Sequence, residues 1–157
     1  MPLGVDVTRV DTVAAFPIGY ECEDPRGGIF AGNKCKYVKA NGTITAADIV
    51  KIDITATAAD RRGVVIRTAA AAEPIEGIAL VSLTANQFGW ISTLGLFQNA
   101  NVTTGAVAGA ILSSSGTAGR AITSPGAAAD ANANAGGRRL LNLVLAASNV
   151  ADVLIGG

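Results

Sequence analysis

From Gly77 to Gly119, forty-three consecutive residues include no aspartate, glutamate, lysine or arginine. A stretch that long and that free of charge either crosses a membrane or is covered on more than one side. The membrane reading fails on chemistry. Its most apolar part, Ile78 to Phe97, is broken by Ser82, Thr84, Asn86, Gln87, Ser92 and Thr93, and QNANVTTGAVAG follows, which is poor material for a hydrocarbon core. The remaining solution is a group of strands shielded on both faces, one by the domain's own core and the other by a further layer. Copies of the same chain are the layer this reading favours.

Alternation with a period of two supports strands. In IVKIDIT, Val50, Ile52 and Ile54 face one way and Lys51, Asp53 and Thr55 the other, the pattern of a strand with one wet face. VVIRT repeats it, and AADRRG between the two runs supplies the turn of a hairpin. IEGIALVSL and FGWISTLGLF are apolar on both faces, and Gly95 in the second marks a bulge or a close backbone approach. With KYVKA, AVAGAILSSS, RAITSP, LLNLVLAAS and ADVLIGG, eight or nine short runs result, which suits a mainly β fold, a compact barrel or sandwich. Residues 1–33 hold three of the five prolines and read as an extended N-terminal arm ahead of a β domain spanning 34–157. Within that domain the small-residue segment 125–139 reads as a flexible surface loop.

Composition narrows function. Twelve basic residues balance twelve acidic ones and only 15% of the chain is charged, so neither a nucleic-acid patch nor a polybasic membrane grip is expected. With no histidine, Ser-His and Cys-His catalysis and imidazole metal ligation are excluded. No phosphate-binding glycine loop and no nucleophile elbow occurs. Asp6, Arg9 and Asp11 interrupt the place where a signal peptide's apolar region would sit.

The remaining candidates are weak as chemistry. Glu73 and Glu76 flank Pro74 and read as solvent-facing carboxylates at a turn. Glu21, Glu23 and Asp24 lack the ligand spacing of a calcium loop. Arg138 and Arg139 read as a solvated pair at a strand start. Trp90, the single tryptophan, is a packing or contact residue, with a ligand-stacking platform as the alternative. Cys22 and Cys35, thirteen apart, admit a disulfide; two partly buried thiols of a protein made in a reducing cytosol are the other reading.

The order of segments then becomes informative. GGIFAGNKCKYVKANGTITAADIVKID, VVIRTAAAAEPIEGIALVSLTANQFGWIS, a glycine-rich hairpin and LVLAAS…ADVLIGG resemble the small capsid decoration, or cement, proteins of tailed bacteriophages. The likeness covers residues 27 to 157 and is carried by Tyr37-Val38-Lys39-Ala40, Pro74-Ile75-Glu76-Gly77-Ile78-Ala79 and Phe88-Gly89-Trp90-Ile91. It implies a β-tulip-like domain that trimerises on the outer surface of the mature virion capsid, made in the host cytoplasm, with an N-terminal arm reaching neighbouring capsomers.

The expectation is therefore a non-enzymatic virion structural protein without cofactor or metal. Its partners are itself, as a homotrimer, and the major capsid protein, with no nucleic acid and no membrane. Phe16, Ile18, Ile29, Phe30, Phe88, Trp90, Leu94 and Phe97 are the expected contact residues. Another phage head or tail component, and a carbohydrate-binding β module using Trp90, are the competing expectations.

Overall fold

The computed structural model describes residues 5–71, 73–103, 106–123, 139–143 and 149–156. Ten strands lie among them, the expected runs giving all but the first, which comes from the segment read as an arm: β1 (Glu21–Glu23), β2 (Lys34–Ala40), β3 (Ile49–Ile52), β4 (Val64–Arg67), β5 (Gly77–Ala79), β6 (Phe88–Asn101), β7 (Ile111–Ser114), β8 (Ala121–Thr123), β9 (Arg139–Asn142) and β10 (Val150–Gly156). The expected loop 125–139 lies outside the described residues, except that Arg139 opens β9.

Strand β6, fourteen residues long, is shared by two sheets. Its first half closes a five-stranded barrel in the order β2-β4-β3-β5-β6, because β6 also pairs with β2. Only β2 and β4 run parallel in this ring. Val38, Val50, Val65, Ala79, Leu83 and Ile91 fill its interior. The second half of β6 pairs with β10 and continues through β9 and β7 to β8. This second sheet curls back on itself, with Ala121 of β8 bridging to Val102 just past the end of β6. Phe97, Leu112, Leu140, Val153 and Ile155 pack inside it and merge with Ile49, Ile75 and Ile78 of the barrel into one core.

Over the barrel half of β6, the second covering layer for the uncharged run is supplied by the chain itself. Residues 5–24, expected as part of an arm reaching outward, lie instead across the outer face of β2 and β6. Asp11 and Phe88 exchange two backbone hydrogen bonds of 2.9 Å, Gly19 N–H donates to Tyr37 O at 2.8 Å, and β1 pairs with β2. Between Gly77 and Gly119, Val107 is the one large apolar side chain that is well exposed among the described residues. Self-association is thus not required to hide the Phe88–Trp90 part of that run.

A second departure concerns IVKIDIT. Strand β3 stops at Ile52, Asp53 is buried, and Ile54 is 80% exposed, the reverse of the expected faces. Asp53 ends the strand by accepting hydrogen bonds from the N–H (2.9 Å) and hydroxyl (2.7 Å) of Thr55 and from the Asn41 side-chain amide. A carboxylate that bonds the backbone two residues on folds its own turn and outcompetes the ladder.

Candidate interaction surface

Three places combine chemistry with access. The first is the layer between the N-terminal segment and the barrel. Tyr37 and Trp90 are register partners on β2 and β6, pointing away from the barrel interior. Phe16 sits over both, its ring centroid 5.3 Å from Tyr37, 5.4 Å from Trp90 and 5.6 Å from Tyr20, edge and offset geometries that aromatic quadrupoles favour. The Tyr37 hydroxyl donates to Asp11 Oδ2 at 2.7 Å and accepts from the Ala15 N–H at 3.1 Å. Burial, with the Asp11 carboxylate beside it, pushes the phenol up to about 12. Trp90 is 1% exposed, so it offers no platform to a sugar and no contact to a partner in this conformation.

The other expected contact residues are dispersed. Phe97 is in the second-sheet core, and Phe88 is half-buried and stacked on Tyr37 at 6.1 Å. The backbone at Ile18 and Gly19 presses on Gly63, where an added Cβ would meet Gly19 N at 2.5 Å. The Arg26 guanidinium lies 4.1 Å from the Phe30 ring centroid, a cation–π contact. Ile29 is exposed on the short 3₁₀ turn Gly28–Phe30, and Leu94 is half-buried on β6. They do not form one surface.

The second place is a groove of about 650 Å³ lined by Ile52, Ile54, Ile66, Pro74 and Ile75 and flanked by Glu73 and Glu76. The two carboxylates are mostly buried and paired rather than solvent-facing: Glu76 with Lys36 at 2.7 Å, and Glu73 with Lys51. Burial opposes the Glu73 charge, but Lys51 and the N–H groups of Ala69 and Ala70 outweigh it and hold the carboxyl below its usual range. Glu73 is therefore ionised near neutrality and is no proton donor there.

Third is the outward face of the second sheet. Since Phe97, Leu112, Leu140, Val153 and Ile155 point inward, the alternate positions face out. Register aligns Leu96 of β6 with Leu154 of β10 and, through the backbone of β9 between them, with Ile111 of β7. Ile122 of β8, opposite Ser113, shares that face. Leu154 is 42% and Ile122 38% exposed, while Leu96 and Ile111 are half-buried. Asp152, two positions before Leu154, accepts the Asn99 N–H at 3.0 Å. The row itself contains no ionisable residue. Sequence reasoning found these strands but not their registers, and so missed Leu96, Ile111, Ile122 and Leu154 as contact residues.

Among the described residues, no three His, Cys, Asp or Glu side chains gather into a metal-holding group. Cys22 and Cys35 are free thiols facing each other across β1 and β2. Glu21 and Glu23 are exposed, whereas Asp24 is buried and binds the Arg26 side chain, with contacts of 2.9 Å and 2.5 Å. Compared with protein-family models, curated proteins and solved structures, the chain matches none of them.

Proposed function

We propose that this protein is a non-enzymatic structural component that self-associates as a homotrimer and fastens onto the outside of a mature phage capsid, as its resemblance to decoration proteins implies. The observation that carries the reading is the aliphatic row Leu96, Leu154, Ile111 and Ile122 on the outer face of the second sheet. Rotational self-association brings copies of one patch close together around the axis. Like charges there would repel, and charged residues are depleted from interface cores for that reason and for their desolvation cost. An uncharged row on an otherwise charge-balanced molecule fits a second copy of the same chain better than a partner selected by charge.

Stabilisation of the shell then follows from linkage. A trimer that binds the assembled lattice more tightly than its alternatives shifts the equilibrium toward it by that difference in affinity. Light scattering after size exclusion tests the first step. The expected mass is near three times 15.7 kDa, nearly unchanged by salt, and Leu154→Glu is expected to return a folded monomer. A wild-type monomer at tens of micromolar would remove the reading. The capsid step is tested by electron cryomicroscopy of the parent particle, where density for this chain is expected on the outer surface.

A further inference from the structure

We propose that Cys22 and Cys35 form a reversible intramolecular crosslinking site, closed by low-molecular-weight disulfides such as glutathione disulfide, that fastens the N-terminal segment to the barrel. This inference is independent of the trimer. The two residues are Cα partners in the antiparallel β1–β2 pair, and both are reduced. Two residues to either side, Tyr37 N–H donates to Tyr20 O at 2.8 Å and Asp24 N–H to Asn33 O at 2.9 Å. Alternation then makes Cys22 and Cys35 a hydrogen-bonded pair, whose Cα atoms stand about 5.5 Å apart. Bridged cysteines span about 4.4–6.8 Å, so the backbone is already within range.

Both side chains belong to the same packed layer, against Tyr37 and Trp90, and so lie on one side of the strand pair. Strand β1 has three residues and a partner on one edge only, which leaves it free to make the small approach that bonding requires. Access sets the order of events, because Cys35 is fully buried and Cys22 half-buried. Burial and the nearby Asp24 carboxylate push both thiols up, which keeps the reduced pair quiescent until a disulfide reaches Cys22.

The Cys22 thiolate attacks one sulfur of glutathione disulfide; the S–S bond breaks, and the departing glutathione takes up the proton that Cys22 released. Cys35 then attacks Cys22 Sγ, and the second glutathione leaves with the Cys35 proton. Two protein thiols are oxidised and one glutathione disulfide is reduced to two glutathiones. The product ties β1, and with it the segment carrying Phe16 and Tyr20, to β2.

The test incubates the native protein with glutathione disulfide, blocks remaining thiols, and maps tryptic fragments by mass spectrometry. The expected product is two hydrogens lighter and contains a fragment joining residues 10–26 to 35–36, which dithiothreitol separates. Its melting temperature is expected to rise by about 6–12 °C. In Cys22→Ser, Cys35 is expected to stay unmodified in the folded protein. A lasting glutathione adduct on Cys22, chain-to-chain disulfides, or no reaction would overturn the site. An internal bond without a rise in melting temperature would overturn the fastening.

Discussion

Gly95 stands where β6 leaves the barrel for the second sheet, at φ +98°, and Asn33 fills the space its side chain would need. An added Cβ would lie 1.8 Å from Asn33 Oδ1. Asn33 cannot withdraw without loss, because its amide donates to Leu96 O at 2.7 Å and its Oδ1 accepts the Leu96 N–H at 3.0 Å. The side chain thus acts as an extra rung of the ladder just ahead of the first residue of β2, Lys34. Gly95→Ala is expected to cost about 2–4 kcal/mol, combining left-handed strain with the clash. Asn33→Ala is expected to cost about 1–2 kcal/mol for the exposed backbone partners. The double variant should be less destabilised than the sum, since truncating Asn33 removes the two shortest of the clashing contacts, and urea unfolding of all four proteins measures this coupling. Strict additivity would contradict the account.

At the level of elements, most strands are legible in the sequence, but only a locally connected pair shows its partner. Alternation located β3 and β4 and correctly paired them as a hairpin, because a hairpin needs only a local turn. It could not show that the strand beginning at Phe88 runs on for fourteen residues through two sheets, since the apolar run FGWISTLGLF gives out at Phe97. Residues 1–33 read as an arm because prolines and mixed charges leave them without periodicity, whereas residues 5–24 pack on the barrel. Their anchors are isolated side chains, Val7, Phe16, Tyr20 and Cys22, spaced irregularly and meaningful only against the outer face of β2 and β6. The sequence-level candidate site suffered for the same reason. Aromatic content suggested Trp90 as a contact, whereas the accessible row is aliphatic and assembled by register from four strands. Phe16→Ala checks the covering role. Losing a half-buried ring in contact with three others is expected to cost about 2–3 kcal/mol. Because Trp90 is the single tryptophan, its emission reports the layer directly, and a red shift with stronger acrylamide quenching is expected. Unchanged quenching would mean that the segment does not shield the indole.

For the whole molecule, the missing histidines set how stability depends on pH. Glu73, Asp53 and Asp24 all titrate lower than ordinary carboxyls in the folded chain. For Asp53 the causes are the Asn41 and Thr55 hydrogen bonds; for Asp24 the Arg26 pairing outweighs burial. A depressed folded value means the unfolded chain binds protons more readily, so the stabilisation is complete above about pH 5 and is lost as acid protonates these groups. On the alkaline side the sign reverses. Tyr37, raised to about 12, and the raised thiols of Cys22 and Cys35 keep their protons longer in the folded state. Their contribution is complete below the unfolded values of about 8.5 for cysteine and about 10 for tyrosine, and declines above them. No histidine side chain titrates in between. The urea midpoint is therefore expected to be flat from about pH 5.5 to 8 and to fall on both sides. Glu73→Gln should lower the plateau by about 1–2 kcal/mol, through loss of the Lys51 pairing and weaker bonds from Ala69 and Ala70, and make the acid limb shallower. A steep change between pH 6 and 8, or an acid limb unaltered by Glu73→Gln, would show that other groups govern the titration.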